Sequence, residues 1–223
     1  KVEQNQQTFG RHDSNSLYAT NIVPGKTTTK FTTNLWPDLE FEIPMMGEYN
    51  VNNALAAILV GQISHIKPEA MQKALSELFV TENRTEWIKA KNGADILSDV
   101  YNSNPTAAIE VLNSLKEIKT DGRKLIVLGD MLELGDASEK LHESLAAHID
   151  AENFAKVYLV GDYMKFLRDK LSDKYNSNDL LWYGKDQLTD LTKDLETELK
   201  PNDTILLKAS HGIHLENVLH DLI

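Results

Sequence analysis

The sequence predicts an α/β chain in two unequal parts: an α+β stretch over residues 1–82, then an open, mainly parallel sheet flanked by helices over residues 83–223. Three observations carry this. Threonine-rich and aromatic runs around a Pro24-Gly25 turn dominate Gln6 to Ile43. Val80-Thr81-Glu82-Asn83 forms a polar break. From Arg84 onward short apolar runs alternate with amphipathic segments, as in successive strand-helix units, which is a Rossmann-like arrangement.

In the first part, Leu17 to Val23, Thr27 to Thr33 and Leu39 to Ile43 read as antiparallel strands. Asn50 to Ile63, rich in Ala and Leu, and Pro68 to Phe79, with Pro68 suited to a first helical turn, read as helices. In the second part the strands are Thr85 to Ala90, Asp95 to Val100 across an Asn92-Gly93 turn, Lys124 to Leu128, Val157 to Val160, Leu180 to Tyr183 and Thr204 to Leu207. Between and after them lie helices over Pro105 to Ile118, Ser138 to Ile149, Tyr163 to Leu171, Asp186 to Leu199 and Leu215 to Leu222.

Composition narrows the function classes. The 223 residues carry 23 basic against 34 acidic side chains, and a net charge of −11 repels a polyanion, so no nucleic-acid partner is expected. A single nucleotide needs only local amides and one or two cations, and remains open. The longest apolar run, Ala54 to Val60, is seven residues, far short of the ~18 of a membrane span. No membrane insertion is expected. Absence of cysteine excludes disulfides, thiolate metal sites and cysteine nucleophiles, and is compatible with a cytoplasmic location. The N-terminus has neither an apolar signal segment nor an initiator methionine, which fits a piece of a longer chain.

Pro24-Gly25-Lys26-Thr27 contains the Gly-Lys-Thr that ends a phosphate-binding P-loop. That loop requires another glycine where Thr20 stands, and a helix where a Thr-rich strand follows, so a hairpin turn is the better reading. His211 and His214 are three apart but lack the pattern of a helical zinc site, and no metal ligands are assigned.

Ligands of open parallel sheets bind outside the carboxyl ends of the strands. Ser98-Asp99-Val100-Tyr101-Asn102-Ser103-Asn104-Pro105 leads from a strand into a helix: Asn104 suits the N-cap, Pro105 the first turn, and Asp99 could accept from a ribose diol. A plain turn and cap is the equal alternative. In Leu128-Gly129-Asp130-Met131-Leu132-Glu133-Leu134-Gly135 two glycines bracket two carboxylates, which suggests a constrained backbone, with a plain connection as the alternative. Lys208-Ala209-Ser210-His211-Gly212 offers an amine and a hydroxyl suited to phosphate or carboxylate, or is a short connector. Asn50 and Asn53 share a face near a helix start, where amide side chains can read a base edge or cap the helix.

Together with Gly47-Glu48-Tyr49-Asn50 and Asn83-Arg84-Thr85-Glu86-Trp87, these strings resemble the Mur ligases, the ATP-dependent ligases of peptidoglycan precursor synthesis, over essentially the whole chain. Tyr-Asn-Ser-Asn-Pro and Gly-Asp-Met-Leu-Glu-Leu-Gly are similar to the branch that joins D-alanyl-D-alanine to UDP-N-acetylmuramoyl-tripeptide. The resemblance implies that residues 1–82 are the rear of a central ATPase domain without its P-loop, and that residues 83–223 are a complete C-terminal domain. It implies ATP and Mg2+ as cofactors, with Mg2+ ligands mainly in the missing part, small-molecule substrates, and a monomer. The implied roles are Asn50 and Asn53 toward adenine, Arg84 as the catalytic residue on the phosphates, and Asp99 toward ribose. Tyr101, Asn102 and Asn104 would line the same crevice, and Asn102, Lys208 and Ser210 the dipeptide side. Tyr49, Ala209 and His211 depart from residues common in the family, the last two within the final loop. Other readings are a folylpolyglutamate-type or different Mur ligase, or a non-enzymatic nucleotide-binding or phosphoreceiver module.

Overall fold

The computed structural model describes residues 6–78 and 85–223. Two compact units emerge, Lys1–Val80 and Thr81–Ile223.

The first unit holds a four-stranded sheet in the order β1-β2-β3-β4 and two helices. Its elements are β1 (Phe9–Gly10), β2 (Leu17–Pro24), β3 (Thr29–Thr33), β4 (Phe41–Ile43), α1 (Tyr49–Ile63) and α2 (Pro68–Ser76). Alternation in β2 through β4 buries Leu17, Ala19, Phe31, Phe41 and Ile43 in one core with Val51, Leu55 and Ile58 of α1. The Phe31 and Phe41 rings stack at 5.6 Å. β2 and β3 are antiparallel and joined at Pro24-Gly25, where the Gly25 amide donates to the Thr28 carbonyl at 2.8 Å. Gly-Lys-Thr therefore lies in a hairpin turn and opens no helix. The sequence reading lacked β1, which pairs parallel with β2, because a two-residue strand carries no period to detect. α2 stops at Ser76, and Phe79 lies outside the described residues.

The second unit is a six-stranded sheet in the order β5-β6-β10-β7-β8-β9. β5 (Glu86–Lys89) pairs antiparallel with β6 (Asp95–Asp99), whereas β10 (Thr204–Lys208), β7 (Lys124–Gly129), β8 (Lys156–Val160) and β9 (Leu180–Tyr183) join β6 in parallel. The central strands are apolar on both faces, as a sheet covered by helices on each side requires: every residue of β10 is buried, including Ile205, Leu206 and Leu207. The helices are α3 (Pro105–Glu117), α4 (Ser138–Ser144), α5 (Met164–Leu171), α6 (Leu188–Glu198) and α7 (Leu215–Leu222). The helix expected over Ser138 to Ile149 is split, since Leu145–His148 tightens into a 3-10 turn, a frequent ending for α-helices.

Because five strands run parallel, the segments after Asp99, Lys208, Gly129, Val160 and Tyr183 emerge at one edge. The opposite edge is held by ions. The Arg123 side chain grips Asp203 through Nε–Oδ1 at 3.2 Å and Nη2–Oδ2 at 2.6 Å, and reaches Glu198, which also accepts from Lys156 at 2.6 Å. The amides of Arg123 and Lys200 donate to the same Asp203 carboxylate. This network ties together the residues entering β7, β8 and β10, at the amino ends of these parallel strands.

Candidate functional site

The site grows from two adjacent strand ends. In the parallel register Asp99 of β6 lies directly opposite Lys208 of β10, so their side chains share a face. Lys208 Nζ is 2.5 Å from Asp99 Oδ2 and donates to the Asn102 carbonyl at 3.1 Å. Lys208 is only 1% exposed, whereas 12% of the Asp99 side chain still meets solvent. The amine expected to face a second substrate is thus engaged inside the protein, and the largely buried aspartate is the member of the pair that keeps some contact with solvent.

Asn104 adopts extended backbone and its Oδ1 accepts from the Ala107 amide at 2.9 Å, with Pro105 taking the first helical position. This is an N-cap, and it sets the positive end of α3 at the carboxyl edge beside Asp99. Tyr101 and Asn102 are exposed on the intervening loop, and the Tyr101 ring lies 5.9 Å from that of His211. Ser210 closes the neighbouring loop: its Oγ accepts from the Leu132 amide at 2.9 Å and donates to the Ser103 carbonyl at 3.4 Å. Asp99, Tyr101, Asn102, Asn104, Lys208 and Ser210 are therefore gathered at one edge of this sheet.

The glycine-bracketed loop is constrained, with Glu133 at φ 64° and Gly135 at φ 57°. Its first carboxylate, however, is internal. Asp130 is fully buried and accepts from the backbone amides of Asp162, Tyr163 and Met164 at 2.9 to 3.0 Å, so it caps α5. Burial pushes its carboxyl above the ordinary range, against the pull of the Met164 and Asp162 amides and of the His142 and Lys185 side chains. His142, also fully buried, accepts from the Met131 amide at Nε2 and donates from Nδ1 to the Ser138 carbonyl. Burial holds its pKa below the usual histidine value, which suits the neutral form these bonds require. Sequence reasoning missed both residues as the supports of this loop. Gly161, ahead of α5, was the available signal, because a glycine after a strand can mark a close approach.

In the first unit Asn50 is buried and donates to the Met46 carbonyl at 2.9 Å, while exposed Asn53 donates to Asn50 Oδ1 at 3.3 Å. The shared face is confirmed by this bond, and Asn53 is the member open to a ligand. Arg84 lies outside the described residues. Among the described residues no group of three or more His, Asp or Glu side chains is arranged to hold a metal ion.

Comparison with known proteins agrees with both units. Residues 83–211 match the family described as Mur ligase, glutamate ligase domain, and residues 1–61 match the Mur ligase middle domain. UDP-N-acetylmuramoyl-tripeptide–D-alanyl-D-alanine ligase of Bacillus subtilis is 33% identical over 97% of this chain and 47% of its own length. A crystal structure of MurF from Acinetobacter baumannii superposes with a TM-score of 0.76 at 26% identity, covering 97% of this chain and 46% of that one. MurF from Thermotoga maritima, solved in complex with ADP, has the same fold, with a TM-score of 0.75 at 22% identity over 97% of this chain and 48% of that one. The chain spans about half the length of the curated relatives it matches. With the C-terminal family profile alone covering more than half of its residues, and the strand-end loop inside that match, the chain belongs to the Mur ligase family.

Proposed function

We propose that this chain is part of an ATP-dependent ligase that joins D-alanyl-D-alanine to the terminal carboxylate of UDP-N-acetylmuramoyl-tripeptide. The observation that carries this reading is the 33% identity, through both units, to a relative of that name. In the reaction the tripeptide carboxylate takes the terminal phosphoryl group of ATP, giving an acyl phosphate and ADP. The dipeptide amine then attacks the acyl carbon, the C–O bond breaks, phosphate leaves, and the amine proton passes to solvent or base.

This chain supplies adenosine- and phosphate-facing groups. Asp99, at the open edge, accepts from a ribose diol, and the positive end of α3 favours nearby anionic groups. Asn53 is the base-facing amide, held by Asn50. Arg84 serves the phosphates, since a guanidinium stabilises charge on a transferring phosphoryl group without a proton transfer. The strand-end carboxylate of Asp99, mostly buried but with 12% of its side chain open to solvent, lies near a helix N-terminus and fits the nucleotide, whereas the described residues show no set of ligands for Mg2+, and no step is assigned to the metal. The Mur ligase resemblance implies a cytoplasmic, monomeric enzyme with small-molecule substrates; among the described residues no helix is long and apolar enough to cross a membrane.

The test is turnover by the full-length protein with ATP, the muramoyl tripeptide and a panel of amines, read as ADP release and product mass. D-alanyl-D-alanine should be the preferred amine. A preference for glutamate or a single amino acid would move the protein to another branch. Arg84→Ala should depress turnover by at least about 100-fold with little change in unfolding temperature; unchanged turnover would remove Arg84 from the chemistry.

A further inference from the structure

We infer that Lys208 is a positioning residue for the nucleotide ribose, acting through Asp99, and that it touches neither substrate. The inference rests on the reading of Asp99 as the ribose acceptor. Lys208 is 1% exposed, and its ammonium is held by Asp99 Oδ2 at 2.5 Å and the Asn102 carbonyl at 3.1 Å. An ammonium placed so deeply cannot also grip a dipeptide carboxylate without leaving Asp99 buried and unpaired, which is costly.

Two physical consequences follow from the pair. A carboxylate placed near a polyphosphate repels it, and the adjacent ammonium makes Asp99 part of a net-neutral couple that can still accept hydrogen bonds. Lys208 also fastens the end of β6, at the Asp99 side chain, to the loop that follows it, at the Asn102 carbonyl. That loop leads directly to the Asn104 cap of α3, so one amine sets both the ribose acceptor and the approach to the helix end. Since a buried ion pair is a weak source of stability against apolar packing, its presence at a strand-end crevice is better explained by orientation than by folding.

The ribose diol provides the readout. In the full-length ligase, turnover is compared for ATP and 2′,3′-dideoxy-ATP in the wild type, Asp99→Asn, Lys208→Met and the double variant. The wild type should prefer ATP by about 10-fold or more, one decade corresponding to about 1.4 kcal/mol. Lys208→Met should erase most of that preference, leave the KM for D-alanyl-D-alanine within about 2-fold, and add little to Asp99→Asn in the double variant. Lys208→Gln, which keeps a buried donor, takes its place if the Met variant unfolds below the assay temperature. A Lys208 variant that keeps the diol preference while raising the dipeptide KM overturns the inference. Diol preference retained in Asp99→Asn instead overturns the ribose reading beneath it, and absence of ligation by the wild type overturns the proposed function.

Discussion

Gly161 lies against the carboxylate of Asp130 so closely that a Cβ on the glycine would stand 2.5 Å from Asp130 Cγ and Oδ2. The glycine is at φ +110°, a conformation that side-chain-bearing residues rarely adopt. Backbone freedom and close approach thus coincide at one residue, and together they let the carboxylate reach the first amides of α5. Gly161→Ala should cost about 3 kcal/mol or more in urea unfolding, combining strain with displacement of a buried charge. A loss under 1 kcal/mol would mean that the Asp130 cap has slack.

The Arg123–Asp203 grip governs the opposite edge of the same sheet. Asp203 is nearly inaccessible, while Arg123 is about a third exposed and partly screened by water. Asp203→Ala should destabilise by about 2 to 4 kcal/mol without altering nucleotide binding. Desolvation opposes the ionised form of Asp203, but the bonds from Arg123 and Lys200 outweigh it and hold the carboxyl below its usual pKa. A depressed carboxyl contributes stability above its unfolded value, near ~3.9, and loses it as pH falls through the folded value. The acid limb of the stability curve should therefore flatten in Asp203→Asn, and equal acid sensitivity in both proteins would contradict this.

His142 gives a second pH dependence in a higher window. Its folded pKa is held below ~6.5 by burial, so its contribution is complete above that unfolded value and declines as pH falls toward the folded one. Protonation would also deprive the Met131 amide of its acceptor. The urea midpoint of the wild type should drop between pH 7 and pH 5, and His142→Gln should show a shallower dependence after correction for its lower starting stability.

The two asparagines of α1 should separate cleanly. Asn50 is buried with both ends of its amide engaged, and Asn50→Ala should cost about 1 to 2 kcal/mol. Asn53 is exposed, so Asn53→Ala should leave stability within about 0.5 kcal/mol while weakening discrimination of ATP from GTP in the full-length ligase. Unchanged discrimination of ATP from GTP in Asn53→Ala would deny Asn53 its base-facing role.

Asn104→Ala removes a side-chain acceptor from the first turn of α3 and should cost about 1 kcal/mol, with Asn104→Ser restoring most of it. Thermal unfolding of the three proteins checks the order. Loss in the Ser variant equal to that in Ala would show that the amide does more than cap.

Much of the fold was legible because its signals are local. Alternating strand and helix segments after residue 84 correspond to the parallel sheet, and Asn104-Pro105 marked the start of α3 where the cap is found. The Pro24-Gly25 hairpin was readable from turn chemistry, and it disposed of a misleading Gly-Lys-Thr. Position along the chain could not reveal that β10 inserts between β6 and β7, since strand order depends on long-range pairing. Without that order Lys208 and Asp99, which are 109 residues apart, read as separate candidate ligands.

The sequence by itself determined most strands and helices, the loops that follow the strands and the cap at Asn104, because periodicity, caps and turns are properties of neighbouring residues. Only the tertiary structure decided which of their side chains are buried with internal partners and which meet solvent. Burial and register turn Lys208 inward onto Asp99, commit Asp130 to the amides of α5 and leave Asn53 open beside a buried Asn50. These assignments depend on which groups lose water and which keep it, and that is settled by the packing of segments far apart in the chain.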